Sequence, residues 1–391
     1  MDTKQGFQFA SATCGFKKSK KPDLALIYSS VACTYVGVFT TNQVRAVCVD
    51  ENKNLLKKRK KIRAIVINSG NANACTGKKG VRAAKQTQQI AARLLKIKPD
   101  EVLIASTGVI GVPLEMEKME QGLHYVVPRL DSQKIKSAAT AILTSDRFPK
   151  IVSRKTKEFF LTGFAKGAGM IHPNIATMLC FFVTDLQMPQ QLLQTALKSV
   201  VNESFNNISV DGDMSTNDMV ILLSNNQSKS AVKSVKDPLY ARFRNSLKDA
   251  CLELAKQIVI DGEGDNKLIN VHVDGGRSAV EANEIARSIA SSTLFKCAIF
   301  GSDPNWGRAA SRICATSVKV NQDKIDIFLN KTLVFKSGNP IEFNRQKLNI
   351  QIKRSKEVNL SVNLKQGNKS GFAFGCDLSV DYVKFNSGYF T

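Results

Sequence analysis

The chain has 391 residues, 43% of them hydrophobic, which is enough for two domains with a substantial core. No apolar run approaches the roughly 18 residues of a membrane-spanning helix, and the first residues lack the apolar segment of a secretory signal, so we expect a cytoplasmic protein with no membrane partner. Nine cysteines are scattered without a CxxC pair, which argues against a zinc site or a disulfide framework.

The net charge of +23 raises the question of nucleic-acid binding. The basic runs at 17–21 and 57–61, however, contain no aromatic residues for base stacking. We therefore interpret them as solvated surface loops and predict no nucleic-acid partner.

Short apolar runs alternate with helical patterns, which predicts a mixed α/β fold. Up to residue 260 the pattern predicts strands at 63–67, 101–105, 177–184 and 219–223. It predicts a first helix that begins at Val81, on its apolar face, and ends before Pro99. Further helices are predicted near Pro113, at 132–143, at 189–201 and from Pro238 to about 258, the last with Asp237 as N-cap. Beyond a soft domain boundary at 275–285, the predicted elements are a helix to 291, a strand at 294–300 and paired strands around 330–331.

Thr177 opens an apolar run after a loop rich in glycine, proline and asparagine. Gly167 and Gly169 allow close backbone approach, and Pro173 restricts the chain before the Ala176–Thr177 bond, which together predict a strained bend. Threonine is also an ordinary strand residue. As a nucleophile it needs a base, and the α-amine of an N-terminal threonine, with a pKa of about 7.7 to 8.0, is one. Attack of the Thr177 hydroxyl on the Ala176 carbonyl, followed by hydrolysis, would release that amine.

The stretch KGAGMIHPNIATML at 166–179 closely resembles the cleavage and nucleophile motif of the ornithine acetyltransferases, also called glutamate N-acetyltransferases, of arginine biosynthesis. Other motifs of this family follow one another along nearly the whole chain. They are GFQFASATCGFK, VFTTNQVRA, NSGNANACTG, STGVIG, TSDRFPK, SFNNISVDGDMSTND, DGEG, GSDPNWGR and the terminal GCDLSVDYVKFNSGYFT.

The resemblance implies an αββα sandwich of the DmpA/ornithine acetyltransferase type over residues 1–280, and a smaller C-terminal α/β domain at 281–391 whose tail returns to the active site. It also implies self-cleavage between Ala176 and Thr177, with the fragments 1–176 and 177–391 held together as an α2β2 heterotetramer. We expect no cofactor and no metal. Acetyl-CoA is left open as a co-substrate, because some members of the family also use it to acetylate glutamate.

By motif, Thr177 would carry the acetyl group from N2-acetyl-L-ornithine to L-glutamate. Thr107 and Gly108 would form the oxyanion hole through the threonine hydroxyl and a backbone N–H, which fits the need for donors aimed at the developing charge. Substrate binding would involve Thr144, Lys166, Thr177, Glu263, Asn386 and Thr391. The tail departs from the family pattern at Phe390, where arginine is more usual, and we expect this to change affinity before reaction type.

Several alternatives stay open at this point. A self-cleaving aminopeptidase or amidohydrolase on the same scaffold would use water instead of glutamate, and a basic binding protein would leave the chain uncut. His172 is a second candidate base, which we interpret as a loop residue. Asp211, Asp213 and Asp218 lack the glycine and glutamate placement of an EF-hand, so turns and caps are the better interpretation.

Overall fold

The computed structural model describes residues 6–172, 178–264 and 266–388, and within these ranges no helix is long and apolar enough to cross a membrane. The strands are β1 Phe7–Ala12, β2 Leu24–Phe39, β3 Ile62–Asn71, β4 Val102–Val109, β5 Lys150–Lys155, β6 Phe160–Lys166, β7 Leu179–Thr184, β8 Ile208–Ser209, β9 Met219–Ser224, β10 Leu268–Gly276, β11 Asp326–Leu329, β12 Thr332–Lys336, β13 Asn339–Pro340, β14 Glu357–Asn363 and β15 Lys369–Cys376. The α-helices are α1 Val47–Lys57, α2 Gly77–Leu95, α3 Met116–Val126, α4 Ile135–Ala141, α5 Gln190–Asn202, α6 Pro238–Ile260, α7 Ala279–Ala290, α8 Thr293–Phe300, α9 Trp306–Ile313, α10 Arg345–Arg354 and α11 Val380–Gly388.

The first sheet has the strand order β4-β3-β2-β9-β7-β6-β5, with β1 also paired to β2. The long strand β2 connects its two halves, because its first part pairs with β1 and β3 and its second part pairs with β9. The register with β3 shifts between Tyr28 and Cys33, in the middle of β2. The sheet changes direction at such an irregularity, and its two halves can then face each other.

Aromatic contacts show that the two halves pack face to face. Phe7 and Phe9 of β1 meet Phe160 and Phe164 of β6, with ring centroids 6.3 and 6.4 Å apart, although β1 and β6 are not neighbours in the sheet. Helices α1 to α3 cover the outer side of one half, and α5 and α6 cover the other. Strands β6, β7 and β9 are buried at every position, as expected for strands covered on both faces. The arrangement is the αββα sandwich that the motifs predicted.

The second sheet has the order β13-β12-β11-β14-β10-β15-β8, and α7 packs against β10 and β15. Helix α6 joins the two sheets, since it also contacts β15 and β8. Strands β8 and β10 begin before the expected boundary at 275–285 and still pair within this sheet. The division of the chain at residue 280 stays a prediction.

Most predicted elements are present, including α6, whose N-cap Asp237 accepts from the Leu239 N–H at 2.9 Å. The strand predicted at 294–300 is wrong, because this segment forms α8. Ser292 caps that helix by accepting from the Phe295 N–H, and the apolar side chains of Phe295 and Ile299 lie buried one turn apart. Val81, expected on the buried face of α2, is exposed.

Candidate functional site

A cavity of about 280 Å³ lies at the ends of β4 and β6. Six residues expected in the site line it: Thr107, Gly108, Thr144, Lys166, Glu263 and Asn386. The other lining residues are Ile110, Ser145, Gly169, Met170, Asp211, Asp213, Ser215, Thr216, Asn217 and Tyr382. Ala176, Thr177 and Thr391 lie outside the described residues.

Gly108 is placed where only glycine fits. Its φ is +128°, and a Cβ there would lie 2.4 Å from the carbonyl carbon of Gly70 on the parallel neighbour β3. The small residues at the end of β4 therefore let two backbones approach closely at the cavity. Thr107, one residue earlier, is buried and exposes only 7% of its surface.

Lys166 ends β6 and exposes only 4% of its surface. Its Nζ donates to the Thr107 Oγ1 at 3.2 Å. Burial lowers the pKa of Lys166, and the carboxylates of Asp146, Asp218 and Glu263 oppose this shift. The Lys166 ammonium has no lone pair, so the Thr107 hydroxyl cannot donate to it. The hydroxyl hydrogen of Thr107 therefore remains available to donate to another group.

The backbone after Lys166 bends next to Glu263. A Cβ on Gly169 would lie 2.4 Å from the Glu263 carboxyl carbon, which confirms the expected close approach at this glycine. The Asp211 carboxylate accepts from the N–H groups of Met170 and Ile171, and Met170 has a φ of +57°. Asp211 also accepts from the Asp213 N–H at 3.2 Å, so its interpretation as a turn-forming residue is confirmed.

Asp218 fixes the start of β7. Its Oδ1 accepts from the Met178 N–H at 2.9 Å, and Met178 is next in sequence to Thr177. Burial raises the pKa of Asp218 well above its usual value. The Asp218 carboxyl group therefore holds the backbone beside the expected cleavage bond.

The C-terminal helix α11 contacts the loop that carries Glu263. The Asn386 Nδ2 donates to the Glu263 Oε2 at 3.0 Å, and the Ser379 hydroxyl donates to the Gly264 carbonyl at 2.5 Å. Gly264 has a φ of +70°, and a Cβ there would lie 2.4 Å from the Tyr382 nitrogen. Burial raises the pKa of the Tyr382 phenol, and the nearby carboxylates of Asp211 and Glu263 raise it further.

Sequence reasoning missed several residues of the cavity wall. Asn217 donates through its Nδ2 to the carbonyls of Ala72 and Ser106, each at 2.7 Å, and so ties the wall to the end of β4. Tyr382 was also missed. Both stand inside motifs that pointed to the family, but nothing in those motifs distinguishes a residue of the wall from its neighbours. His172 is not among the described residues that line the cavity, and burial lowers its pKa.

Comparisons with known proteins decide the family. The profile described as "ArgJ family" matches residues 8–391. The chain belongs to the ArgJ family. The arginine biosynthesis bifunctional protein ArgJ of Bacillus cereus is 40% identical over 100% of this chain and 96% of that relative. Its namesake in Staphylococcus epidermidis is 43% identical over 99% of this chain and 97% of the relative.

A solved chain of the same name supports the fold. The crystal structure of arginine biosynthesis bifunctional protein argJ from Bacillus halodurans is 42% identical and has a TM-score of 0.51. The match covers 52% of this chain and 96% of the solved one. This ArgJ-family chain is therefore an acetyltransferase of arginine biosynthesis, and the family predicted from the motifs is confirmed.

Proposed function

We propose that this ArgJ-family protein transfers an acetyl group from N2-acetyl-L-ornithine to L-glutamate through an ester on Thr177. The products would be L-ornithine and N-acetyl-L-glutamate. The observation that carries the proposal is the gathering of Thr107, Gly108, Thr144, Lys166, Glu263 and Asn386, which come from five distant parts of the chain, around one cavity. Thr177 and Thr391 lie outside the described residues, and their roles rest on the motif.

The charges of the cavity suit an N-acetylated diamino acid. Its α-carboxylate needs a cation, and Lys166 supplies one on the wall. The δ-ammonium needs an anion, which Glu263 offers, and Asp211 and Asp213 add further negative charge nearby. Glutamate carries a second carboxylate instead of the ammonium, so it would place its α-carboxylate at Lys166 and its amine at the acetyl ester.

Thr107 is well prepared to stabilise an oxyanion. Lys166 donates to its Oγ1, which leaves the hydroxyl hydrogen available to donate to an oxyanion formed in the cavity. An ammonium beside the oxygen also makes the O–H a stronger donor. Donors fixed before the reaction stabilise charge that develops only in the transition state, so this pair would contribute to kcat.

The nucleophile would be made by cleavage of the Ala176–Thr177 bond. The Thr177 hydroxyl attacks the Ala176 carbonyl carbon, the peptide C–N bond breaks, and the resulting ester is hydrolysed by water. This step leaves a carboxylate on Ala176 and a free α-amine on Thr177. The anchored turn at Met170 and the Asp218 hydrogen bond to Met178 support a bend fixed on both sides of this bond.

Transfer would then use that amine as the base. It takes the proton of the Thr177 hydroxyl as the oxygen attacks the acetyl carbonyl, and it returns a proton to the departing α-amine of ornithine. The amine of glutamate then attacks the acetyl ester and passes a proton to the α-amine of Thr177. The departing Thr177 oxygen takes a proton back from that amine, which restores the threonine hydroxyl.

The two fragments would stay together because hydrogen-bonded sheets cross the cut. Strand β6 of the first fragment pairs with β7 of the second, and β2 pairs with β9. Separation would break both ladders and expose strands that are buried at every position. The α2β2 assembly, the cytoplasmic location and the absence of a cofactor stay predictions of the sequence.

The name of the relatives favours a second activity. The Bacillus cereus and Staphylococcus epidermidis proteins are called bifunctional. We infer that this protein also makes N-acetylglutamate from acetyl-CoA and glutamate. Following thiol release from acetyl-CoA with glutamate present tests this inference, and no release above the rate without glutamate would reject it.

The main proposal is tested by incubating the purified protein with N-acetylornithine and measuring ornithine with and without glutamate. A transferase releases ornithine continuously only when glutamate is present. Equal release in both reactions would identify an amidohydrolase instead. Thr177→Ser should keep part of the cleavage and activity, whereas Thr177→Ala should lose both, and denaturing electrophoresis would then show one band instead of two.

A further inference from the structure

A buried ion cluster lies behind the cavity. The Lys150 Nζ donates to the Asp146 Oδ1 at 2.7 Å and to the Asp261 Oδ2 at 2.6 Å, and all three side chains have no exposed surface. Arg147 donates through its Nε to the Asp261 Oδ1 at 2.9 Å and is 57% exposed. Two cations and two carboxylates balance, so the cluster has no net charge.

The two carboxylates of the cluster also hold backbone groups. Asp146 accepts from the N–H of Thr144 at 3.0 Å and from the N–H of Gly167 at 2.6 Å. Asp261 accepts from the N–H of Arg147 at 3.1 Å. A single ammonium thus links three segments that are far apart in sequence, namely 144–150, 166–167 and 261–263.

Each of these segments carries at least one residue of the cavity wall. Thr144 precedes Asp146 by two residues, Lys166 precedes Gly167, and Glu263 follows Asp261 by two residues. Lys150 itself does not line the cavity. We propose that Lys150 is a positioning residue, whose ammonium fixes the distances between Thr144, Lys166 and Glu263 and thereby sets the affinity for the amino-acid substrates. The proposal rests on the substrate-binding roles proposed above.

Lys150 can fix these distances because its hydrogen bonds to Asp146 and Asp261 are directional. An apolar side chain could fill the same space, but it would not define the positions of two carboxylates and the backbone groups they hold. The charge balance also matters, because removing one partner of a buried ion pair leaves an uncompensated charge that drives local rearrangement. A shift of the order of 1 Å in groups that hold a substrate is enough to weaken the reaction strongly.

The test is Lys150→Met, with ornithine binding measured by calorimetry and steady-state kinetics with N-acetylornithine. We expect the Kd for ornithine and the KM for N-acetylornithine to rise at least about tenfold. A merely structural role would lower the folded fraction, and with it kcat, but leave Kd and KM unchanged, and that result would overturn the proposal. Arg154→Met is the matched control, because Arg154 is on the same strand and pairs with Glu253 at the surface. Arg154→Met should leave the Kd for ornithine and the KM and kcat for N-acetylornithine unchanged.

Hydrogen exchange on the unmodified enzyme decides the case if Lys150→Met does not fold. The amides of Thr144, Arg147 and Gly167 should open together, with protection factors within about tenfold of each other, and ornithine should slow all three. Unrelated protection factors would overturn the proposal. Failure of the unmodified enzyme to bind ornithine at all would instead reject the proposed function.

Discussion

The cavity has two walls of different construction. Thr107, Gly108 and Lys166 form a strand wall at the ends of β4 and β6, where the two polar side chains are less than a tenth exposed. Glu263, Tyr382 and Asn386 form a tail wall. Glu263 stands on a loop and is itself only 9% exposed, whereas none of the nine described residues of α11, which carries Tyr382 and Asn386, is buried.

The difference separates two tasks. Groups that stabilise a transition state need fixed positions, which a buried strand end supplies, whereas a helix on the surface can adjust to the substrate. Changes at Thr107 should therefore lower kcat, and changes at Asn386 should mainly raise KM, whereas Lys166 takes part in both tasks through Thr107 and the substrate α-carboxylate.

The largest effect is expected for Thr107→Val. Valine keeps the shape of threonine but removes the hydroxyl, and loss of one oxyanion donor lowers kcat by roughly 10²- to 10³-fold. KM should change little. The control is Thr107→Ser, which keeps the hydroxyl and should retain most of the activity. A rise in KM at unchanged kcat would place Thr107 with the substrate-binding groups.

A second strong effect concerns the backbone of the strand wall. Gly108→Ala places a methyl group against the Gly70 carbonyl at a φ of +128°, so we expect a loss of at least about 3 kcal/mol in the free energy of unfolding. Gly111→Ala is the control, because its φ is +82° and no atom lies within 4 Å of its Cβ. It should cost only about 1 kcal/mol. Equal losses in denaturant titrations would show that the approach to Gly70 is not tight.

Low pH should weaken the ion pairs of Asp146, whose carboxylate holds the backbone next to Lys166 of the strand wall. Burial alone would raise the pKa of Asp146, but the ammonium groups of Lys150 and Lys166 outweigh it and hold this pKa at about 2. Because the folded pKa is below the unfolded one, this stabilisation is complete above about pH 4 and is lost as the pH falls towards 2.

The contribution is of the order of 2 kcal/mol and is measured as the free energy of unfolding against pH. Asp146→Asn should flatten the dependence of the free energy of unfolding on pH between about pH 4 and pH 2. Glu120→Gln, which breaks an exposed pair with Arg93, should leave the profile as it is. An unchanged slope in Asp146→Asn would contradict the assignment.

The smallest effect is expected in the tail wall. Asn386→Ala removes the hydrogen bond to the Glu263 carboxylate, which is worth about 1 kcal/mol and corresponds to a roughly fivefold rise in KM for N-acetylornithine. Ser387→Ala, one residue later on α11, removes only a bond to the Lys384 carbonyl and should leave KM unchanged. A fall in kcat larger than the rise in KM would erase the distinction between the walls.

The two walls also differ in how far the sequence predicts them. The apolar run at 101–105 predicted the strand that carries Thr107 and Gly108, whereas their role in the oxyanion hole came only from the family resemblance. Asn386 and Glu263 were predicted only through the family motifs, since their contact joins residues 123 positions apart. Lys150 was missed for the same reason, because its partner Asp261 lies 111 residues away and a lone lysine in a sequence is normally a surface charge.

The apolar pattern also predicted the wrong element where a strand and a helix would bury the same residues. The run at 294–300 is apolar enough for an inner strand, and only the cap from Ser292 and the burial of one helical face distinguish α8. Short apolar runs of this length suit either element, so tertiary packing decides between them.

The central claim is that Thr177, freed from Ala176, carries the acetyl group. It is tested most directly by mass spectrometry of the protein after brief incubation with N-acetylornithine, without glutamate, and quenching in acid. We expect two polypeptides, 1–176 and 177–391, with one acetyl group added to the second on its first residue and removed when glutamate is supplied. A single uncut chain with full activity, or an acetyl group on any other residue, would contradict the account.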